Sequence, residues 1–332
     1  MIVLDQLQRP LRDLRLSLTD RCNFRCRYCM PIEVFGPGYQ FLPRDEILNF
    51  DELVRTVRVA VDLGVRKVRL TGGEPLLRRG VEDLVAMIAA VPGVKDLAMT
   101  TNGILLNHHA KSLVAGGLDR VTVSLDALNE ETFAKMNGVG AKVDRVLSGI
   151  RSAQEHGLPV KVNMVVQRGV NEQEIAPMIR WSHDAGVILR FIEFMDVGET
   201  NGWGKQEVVT AEEILAIVSE QFPVEEVSAA YPGEVARRWR FLDGAGEFGT
   251  ISSVSQPFCG DCSRLRVSAE GKAFTCLFAS EGADLRNSLR SSSLDSEVSD
   301  FIRGLWGKRK DRYSEERGEA ERPKAEMSYL GG

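Results

Sequence analysis

Apolar and polar residues alternate over Leu14-Arg15-Leu16-Ser17-Leu18, the period-two pattern of a strand. The period then lengthens. Leu53, Val54, Val57, Ala60 and Val61 share one helix face, with Asp51 as the expected N-cap and Gly64 as the stop. The exchange repeats along the chain. Lys67-Val68-Arg69-Leu70 predicts a second strand, Val81, Leu84, Val85 and Ile88 a helix stripe, and Leu97-Ala98-Met99-Thr100 a third strand. Arg120 to Leu125 predicts the fourth strand, and Val143, Val146, Leu147 and Ile150 the next helix. Val160 to Val166 is the fifth strand, Ile175, Met178, Ile179 and Ser182 mark a helix, and Ile188 to Glu193 is the sixth strand. Strands and helices in strict alternation imply a parallel sheet, because each crossover returns the chain to the same edge direction. Six such units predict an α/β fold, an open and incomplete (β/α)6 barrel.

Near residue 200 the rhythm breaks. Residues 210–221 predict a helix, and Val224 to Val267 short strands with Gly-rich turns such as Asp243-Gly244-Ala245-Gly246. The expected organisation is a partial barrel over 1–200, a smaller α+β region over 201–306, and a tail over 307–332. Residues 308–328 are charged with both signs and poor in large apolar side chains, a composition expected to stay flexible.

The 332 residues are 43% hydrophobic and 27% charged, ordinary for a globular protein. No run reaches the ~18 apolar residues of a membrane span. The opening Met-Ile-Val-Leu-Asp-Gln has no basic segment followed by an apolar run, so no secretory signal is expected and the expected location is cytoplasmic. The formal charge of −5 excludes a globally basic footprint for nucleic acid. A small anionic substrate remains compatible with it through local basic clusters.

The six cysteines fall into two groups of three. Cys22, Cys26 and Cys29 follow the first strand in C-x3-C-x2-C spacing. Three thiolates do not complete a tetrahedral zinc site, and none of His108, His109, His156 or His183 lies near them in sequence. They suit a [4Fe–4S] cube held by three corners, with one iron open to a small ligand. Cys259, Cys262 and Cys276 repeat the arrangement as C-x2-C-x13-C. For this triplet, spacing alone leaves open a second cluster or a zinc ribbon borrowing Asp261. Arg264 and Arg266, two apart, share one strand face, and two guanidinium forks beside a cluster suit a polyphosphate. A solvated strand face is the plainer alternative.

The first triplet, with Tyr28 before its third cysteine and Thr71-Gly72-Gly73-Glu74-Pro75 after the second strand, resembles the radical S-adenosylmethionine (SAM) superfamily. In that family the Gly-Gly-Glu segment meets the amino end of SAM, glycines permitting close approach and Glu74 supplying negative charge. Thr19 through Pro31, Val68 through Leu77, Thr100-Thr101-Asn102-Gly103, Val123 to Asp126, Lys161 to Asn163, Arg190 to Glu193, Phe258 through Val267, Cys276-Leu277-Phe278 and the terminal Gly331-Gly332 narrow the likeness. Together they resemble the GTP 3′,8-cyclase family of molybdenum cofactor biosynthesis.

The resemblance implies two [4Fe–4S] clusters, on Cys22, Cys26 and Cys29 and on Cys259, Cys262 and Cys276. It implies SAM contacts from Tyr28, Gly73, Ser124 and Met195. It implies GTP contacts from Arg15, Arg69, Thr100, Lys161, Arg264 and Arg266, and catalytic roles for Arg264, Arg266, Gly331 and Gly332. It implies hydrogen abstraction from ribose C3′ by a 5′-deoxyadenosyl radical, closure onto guanine C8, and 3′,8-cyclo-7,8-dihydro-GTP as product. Its implied partners are a flavodoxin- or ferredoxin-type reductant and a downstream cyclic pyranopterin monophosphate synthase, with no nucleic acid or membrane; it also allows a homodimer. A radical SAM enzyme acting on a peptide is one alternative, and a zinc-stapled interaction protein with a Gly-Gly tail for conjugation another.

Overall fold

The computed structural model describes residues 2–231, 233–318 and 323–331. Its first part alternates β1 (Asp13–Ser17), α1 (Phe50–Asp62), β2 (Lys67–Thr71), α2 (Val81–Ala89), β3 (Asp96–Thr101), α3 (Leu106–Ala115) and β4 (Arg120–Ser124). Two helices, α4 (Glu130–Asn137) and α5 (Val143–Glu155), precede β5 (Val160–Val166), and α6 (Ile175–Ala185) precedes β6 (Ile188–Glu193). The six strands pair in sequence order, all parallel.

Each strand carries its apolar residues outward, against the helices. Leu14 and Leu16 of β1, and Val162, Met164 and Val166 of β5, are fully buried there. The residues between them, Arg15 and Ser17, Lys161 and Asn163, face the other way. The helices therefore enclose an aliphatic layer, while the concave face of the sheet carries polar residues interspersed with a few apolar ones such as Val165 and Ile192. In the closed eight-stranded barrel that inner face is filled with branched aliphatics; here it is left for a ligand.

α1 begins two residues earlier than a cap at Asp51 would allow. Asn49 caps it through the Glu52 amide, and Glu52 returns a bond to the Asn49 amide, a capping box that satisfies two otherwise unpaired donors. Asp51 instead lies inside the first turn, where its charge favours the helix dipole.

Beyond β6 come α7 (Ala211–Ser219), β7 (Val224–Val227), β8 (Arg237–Phe241), β9 (Glu247–Ile251), β10 (Arg264–Val267), β11 (Lys272–Phe274) and β12 (Ala283–Asp284). The last elements are α8 (Leu285–Ser291), α9 (Asp295–Gly307) and α10 (Met327–Leu330). These strands do not build a second sheet. The order is β12-β11-β10-β1-β2-β3-β4-β5-β6-β9-β8-β7, so they extend both edges of the first. β10 runs parallel to β1 and β9 parallel to β6, and antiparallel strands then cover each edge. The break at residue 200 is thus a change in strand direction within one sheet. The extension at β10 brings the second cysteine group next to the first strand.

The tail departs from the sequence expectation. Its described residues are packed, with Leu330 fully buried and Arg309 nearly so. Its charges reach this arrangement by pairing: Arg309 with Asp5, and Arg317 and Lys324 with Asp196. Net composition hid these specific partners.

Candidate functional site

The concave face of the sheet and the loops at its strand ends enclose a cavity of about 310 Å³. Cys22, Cys26 and Cys29 line one part of it and Cys259, Cys262 and Cys276 another. All six are free thiols.

The first triad lies on the loop after β1. The amides of Cys29 and Met30 both donate to the Cys26 carbonyl, at 2.9 and 2.8 Å, which winds the loop into a turn. Arg25 fastens it by donating to the carbonyls of Cys22, Phe24 and Phe35. The Phe24 amide points at Cys22 Sγ from 3.4 Å. Asn102, at the end of β3, donates to Asn23 Oδ1 at 2.7 Å and approaches the same sulfur. Burial pushes the Cys22 thiol up to about 11, and Cys26 and Cys29 are raised further by burial and by neighbouring negative charge. Three thiolates are unfavourable here unless a cationic group joins them.

Tyr28, Gly73, Ser124 and Met195 line the same cavity. Tyr28 Oη donates to Asp126 Oδ2 at 2.9 Å, and burial lifts that carboxyl to about 6. Glu74 does not face the cavity. Its carboxylate turns inward and accepts from the Leu76 and Asn102 amides and the Thr101 hydroxyl, at 2.7–3.0 Å. It organises the loop rather than offering charge to a ligand. The two glycines before it have a local cause as well: a Cβ at Gly73 would overlap the Arg21 carbonyl, and one at Gly72 would lie 2.6 Å from the Thr19 carbonyl. The β1 and β2 loops can cross so closely only there.

The second triad surrounds the start of β10. Arg264 aims Nη2 and Nε at Cys262 Sγ from 3.2 and 3.4 Å. Burial alone would raise the Cys262 thiol, but Arg264 and Arg309 outweigh it and bring it down to about 6. Cys276 is raised to about 11 by burial. The loop is held by residues far away in sequence. Buried Arg9 donates to the Cys259 carbonyl at 2.7 Å, and Arg309 to the Cys262 carbonyl at 2.5 Å. Asp5 pairs with both arginines, at 2.6 and 3.4 Å.

Between the triads runs a row of arginines. In the sheet register Arg15 is flanked by Arg266 on β10 and Arg69 on β2. Arg69 donates to the hydroxyls of Thr100 and Thr122, at 2.9 and 3.2 Å. Arg190, on β6, donates to Thr122 at 3.2 Å, and its Nε is buried without a partner, as is Asn163 Oδ1. Burial, reinforced by neighbouring arginines, lowers Arg15 and Arg69 to about 9 and Arg190 to about 10, and Arg266 well below its usual range. No carboxylate among the described residues stands within ion-pairing distance of these four. Such a cluster is costly until an anion enters. Thr100 lines the cavity with them. Lys161 does not. It faces a smaller adjoining recess of about 100 Å³, which shares Arg69 and Arg190 with the main cavity. Arg190 and Asn163 were absent from the sequence-derived site; their inward place on alternating strands was the available signal.

The tail approaches from the other side. The Gly331 carbonyl accepts from Arg266 Nη1 at 3.3 Å, and Gly331 packs on Thr71 in a left-handed conformation. Gly332 lies outside the described residues.

Residues 16–182 match the model of the Radical SAM superfamily and 187–315 that of Molybdenum Cofactor Synthesis C. GTP 3′,8-cyclase from Acidothermus cellulolyticus is 50% identical, across 99% of this chain and 98% of the relative. That from Staphylococcus carnosus is 47% identical, covering 99% of both. The chain belongs to the GTP 3′,8-cyclase family. Among solved structures, Streptococcus suis SuiB bound to S-adenosylmethionine superposes with a TM-score of 0.62 over 90% of this chain and 66% of that one, at 14% identity. That likeness is one of fold alone.

As a GTP 3′,8-cyclase family member the chain is a radical SAM lyase that uses SAM and two [4Fe–4S] clusters. Its residues fit them. Among the described residues no three His, Cys, Asp or Glu side chains converge as ligands of a single metal ion. A cube does not ask for that, since each thiolate meets a different iron. The buried thiols of the first triad need a cationic partner, and both triads open onto the same cavity. Among the described residues no helix is long and apolar enough to cross a membrane.

Proposed function

We propose that the buried arginine row receives the triphosphate of GTP, between a SAM site at the first cysteine triad and a guanine site at the second. The family reaction converts GTP to (8S)-3′,8-cyclo-7,8-dihydroguanosine 5′-triphosphate, the first step of molybdenum cofactor biosynthesis. Cys22, Cys26 and Cys29 would hold one [4Fe–4S] cluster, and Cys259, Cys262 and Cys276 the other. With SAM bound, the first cluster supplies the radical chemistry that takes hydrogen from the ribose C3′.

The protein's own part is positioning and charge. Arg15, Arg69, Arg190 and Arg266, with Thr100, are the phosphate donors, and Lys161 adds charge from the adjoining recess. Guanidinium forks match phosphate oxygens two at a time and keep the nucleotide in one orientation. Tyr28, held by Asp126, with Gly73, Ser124 and Met195, forms the wall for SAM. Arg264 lines the same cavity and attends the sulfur of Cys262, beside the phosphate donors. Gly331, whose carbonyl meets Arg266, is assigned to the active site, and Gly332, outside the described residues, is given the catalytic role that the family likeness implies. A flavodoxin- or ferredoxin-type reductant would feed the first cluster, a cyclic pyranopterin monophosphate synthase would take the product, and the cytoplasm is the setting.

The observation carrying this reading is the set of four inward guanidiniums without carboxylate partners among the described residues. Anaerobic calorimetry with GTP, GMP and guanosine tests it. Affinity should fall in that order, and guanosine binding as tightly as GTP would refute it.

A further inference from the structure

The described part of the tail is gathered by one carboxylate. Asp196 is buried and comes directly after Met195 of the cavity wall. Its Oδ1 accepts from Arg317 Nε at 2.9 Å, and its Oδ2 from Tyr313 Oη at 2.5 Å and Lys324 Nζ at 3.0 Å. Lys324 also donates to the Asp196 carbonyl at 3.0 Å.

Around these bonds lies an aromatic box. Tyr313 stacks on Phe278 at 4.4 Å, and the Arg317 guanidinium lies 5.6 Å from the Phe278 ring and 6.0 Å from that of Trp203. Phe278 is two residues from Cys276. The clasp therefore joins the end of β6 to the second cysteine group through the tail.

Past Lys324 the chain is directed into the site. Glu326 accepts from the Glu199 amide at 3.0 Å and the Thr200 hydroxyl at 2.9 Å. Met327 then lines the cavity, Leu330 is fully buried, and Gly331 meets Arg266. Two cations and a phenol on one buried anion are more than a surface tail requires. Surface ion pairs contribute little, whereas charge-assisted bonds shielded from water are strong and directional.

We propose that Asp196 is a positioning residue, fastening Tyr313, Arg317 and Lys324 so that Gly331 is presented to Arg266. The inference rests on the assignment of Arg266 and the terminal glycines to the GTP site. Asp196 touches no reacting group; it acts through the tail.

The test uses full-length, cluster-loaded protein under anaerobic conditions. Asp196→Asn keeps the shape and removes the charge. Brief trypsin treatment with detection by mass spectrometry reads cleavage after Arg317 and Lys324, whose side chains Asp196 now holds. Cleavage there should accelerate about tenfold or more, the effect of losing one charge-assisted hydrogen bond. The turnover rate should fall comparably while the KM for GTP and the iron content stay near wild type. Lys324→Met, which alters only the tail side, should also speed cleavage after Arg317.

Wild-type cleavage rates in both variants would overturn the proposal. So would a freed tail with unchanged turnover, since the clasp would then anchor without positioning. If the unmodified protein itself fails to consume GTP, the GTP reading falls, and the cleavage rates still decide whether Asp196 holds the tail.

Discussion

Arg190 offers a test in which two quantities move in opposite directions. Replacing it by Met keeps most of the side-chain volume and removes the charge. In the nucleotide-free protein this cation has no carboxylate within ion-pairing distance among the described residues, and Tyr231 and Glu234 compensate it only in part. Burial and then Arg120 lower it from 12.5 to about 10, a penalty of roughly 3 kcal/mol against the charged form at about 1.4 kcal/mol per tenfold. Its bond to Thr122 offsets roughly half, at about 1.5 kcal/mol for a hydrogen bond to a charged group. Arg190→Met should therefore leave the free protein about 1–2 kcal/mol more stable. GTP binding should weaken by one charge-assisted contact, about 1.5–3 kcal/mol or roughly 10- to 150-fold in Kd. Urea unfolding without nucleotide and anaerobic calorimetry with GTP measure the two effects. A structural arginine would lose stability on removal and leave the intrinsic GTP affinity alone. If the variant is less stable and binds GTP as before, the reasoning about the buried row is wrong.

The same contacts set other outcomes. Asp5→Asn breaks a buried pair and should cost about 3–5 kcal/mol in unfolding free energy; the second cysteine loop should loosen, with anaerobic iron content falling from about eight towards about four per chain. In cluster-free protein at pH 7, Cys262, lowered to about 6, should react with iodoacetamide well before Cys22 and Cys276, raised to about 11. Arg264→Met should abolish that preference in a mass-resolved time course. His183 is raised above 6.5 by its bonds to Asp243 and Asp184. Its stabilisation is full below pH 6.5 and fades as pH rises through its folded value. His183→Gln should remove that slope from urea midpoints taken between pH 5 and 8.

The sequence was most legible where period and burial coincide. β5 spans Val160–Val166 as its alternation predicts, because helices cover one face and the other lines the cavity. Asn49 was missed as the cap of α1 because Asp51, also a good capping residue, stands two positions on. Glu74 carried the right motif for ligand binding, but its carboxylate is consumed by three local donors that no spacing reveals. Arg190 was readable in principle, being the inward residue between Leu189 and Phe191 on β6. The Asp5–Arg9–Arg309 bracket was not, since Asp5 and Arg309 stand 304 residues apart. Misreading the tail has the same origin. Its composition is that of a chain that cannot bury apolar surface, and its described residues are held instead by Asp196, 121 residues before Arg317.

The proposed site is one cavity, walled by two cysteine triads and crossed by buried arginines, that takes GTP as the substrate of radical chemistry. Cluster-loaded protein incubated anaerobically with GTP, SAM and dithionite tests it directly, with 5′-deoxyadenosine and GTP monitored together. One GTP should disappear for each 5′-deoxyadenosine formed, and Arg266→Ala should end both changes in step. Formation of 5′-deoxyadenosine at an undiminished rate with GTP left intact would contradict it.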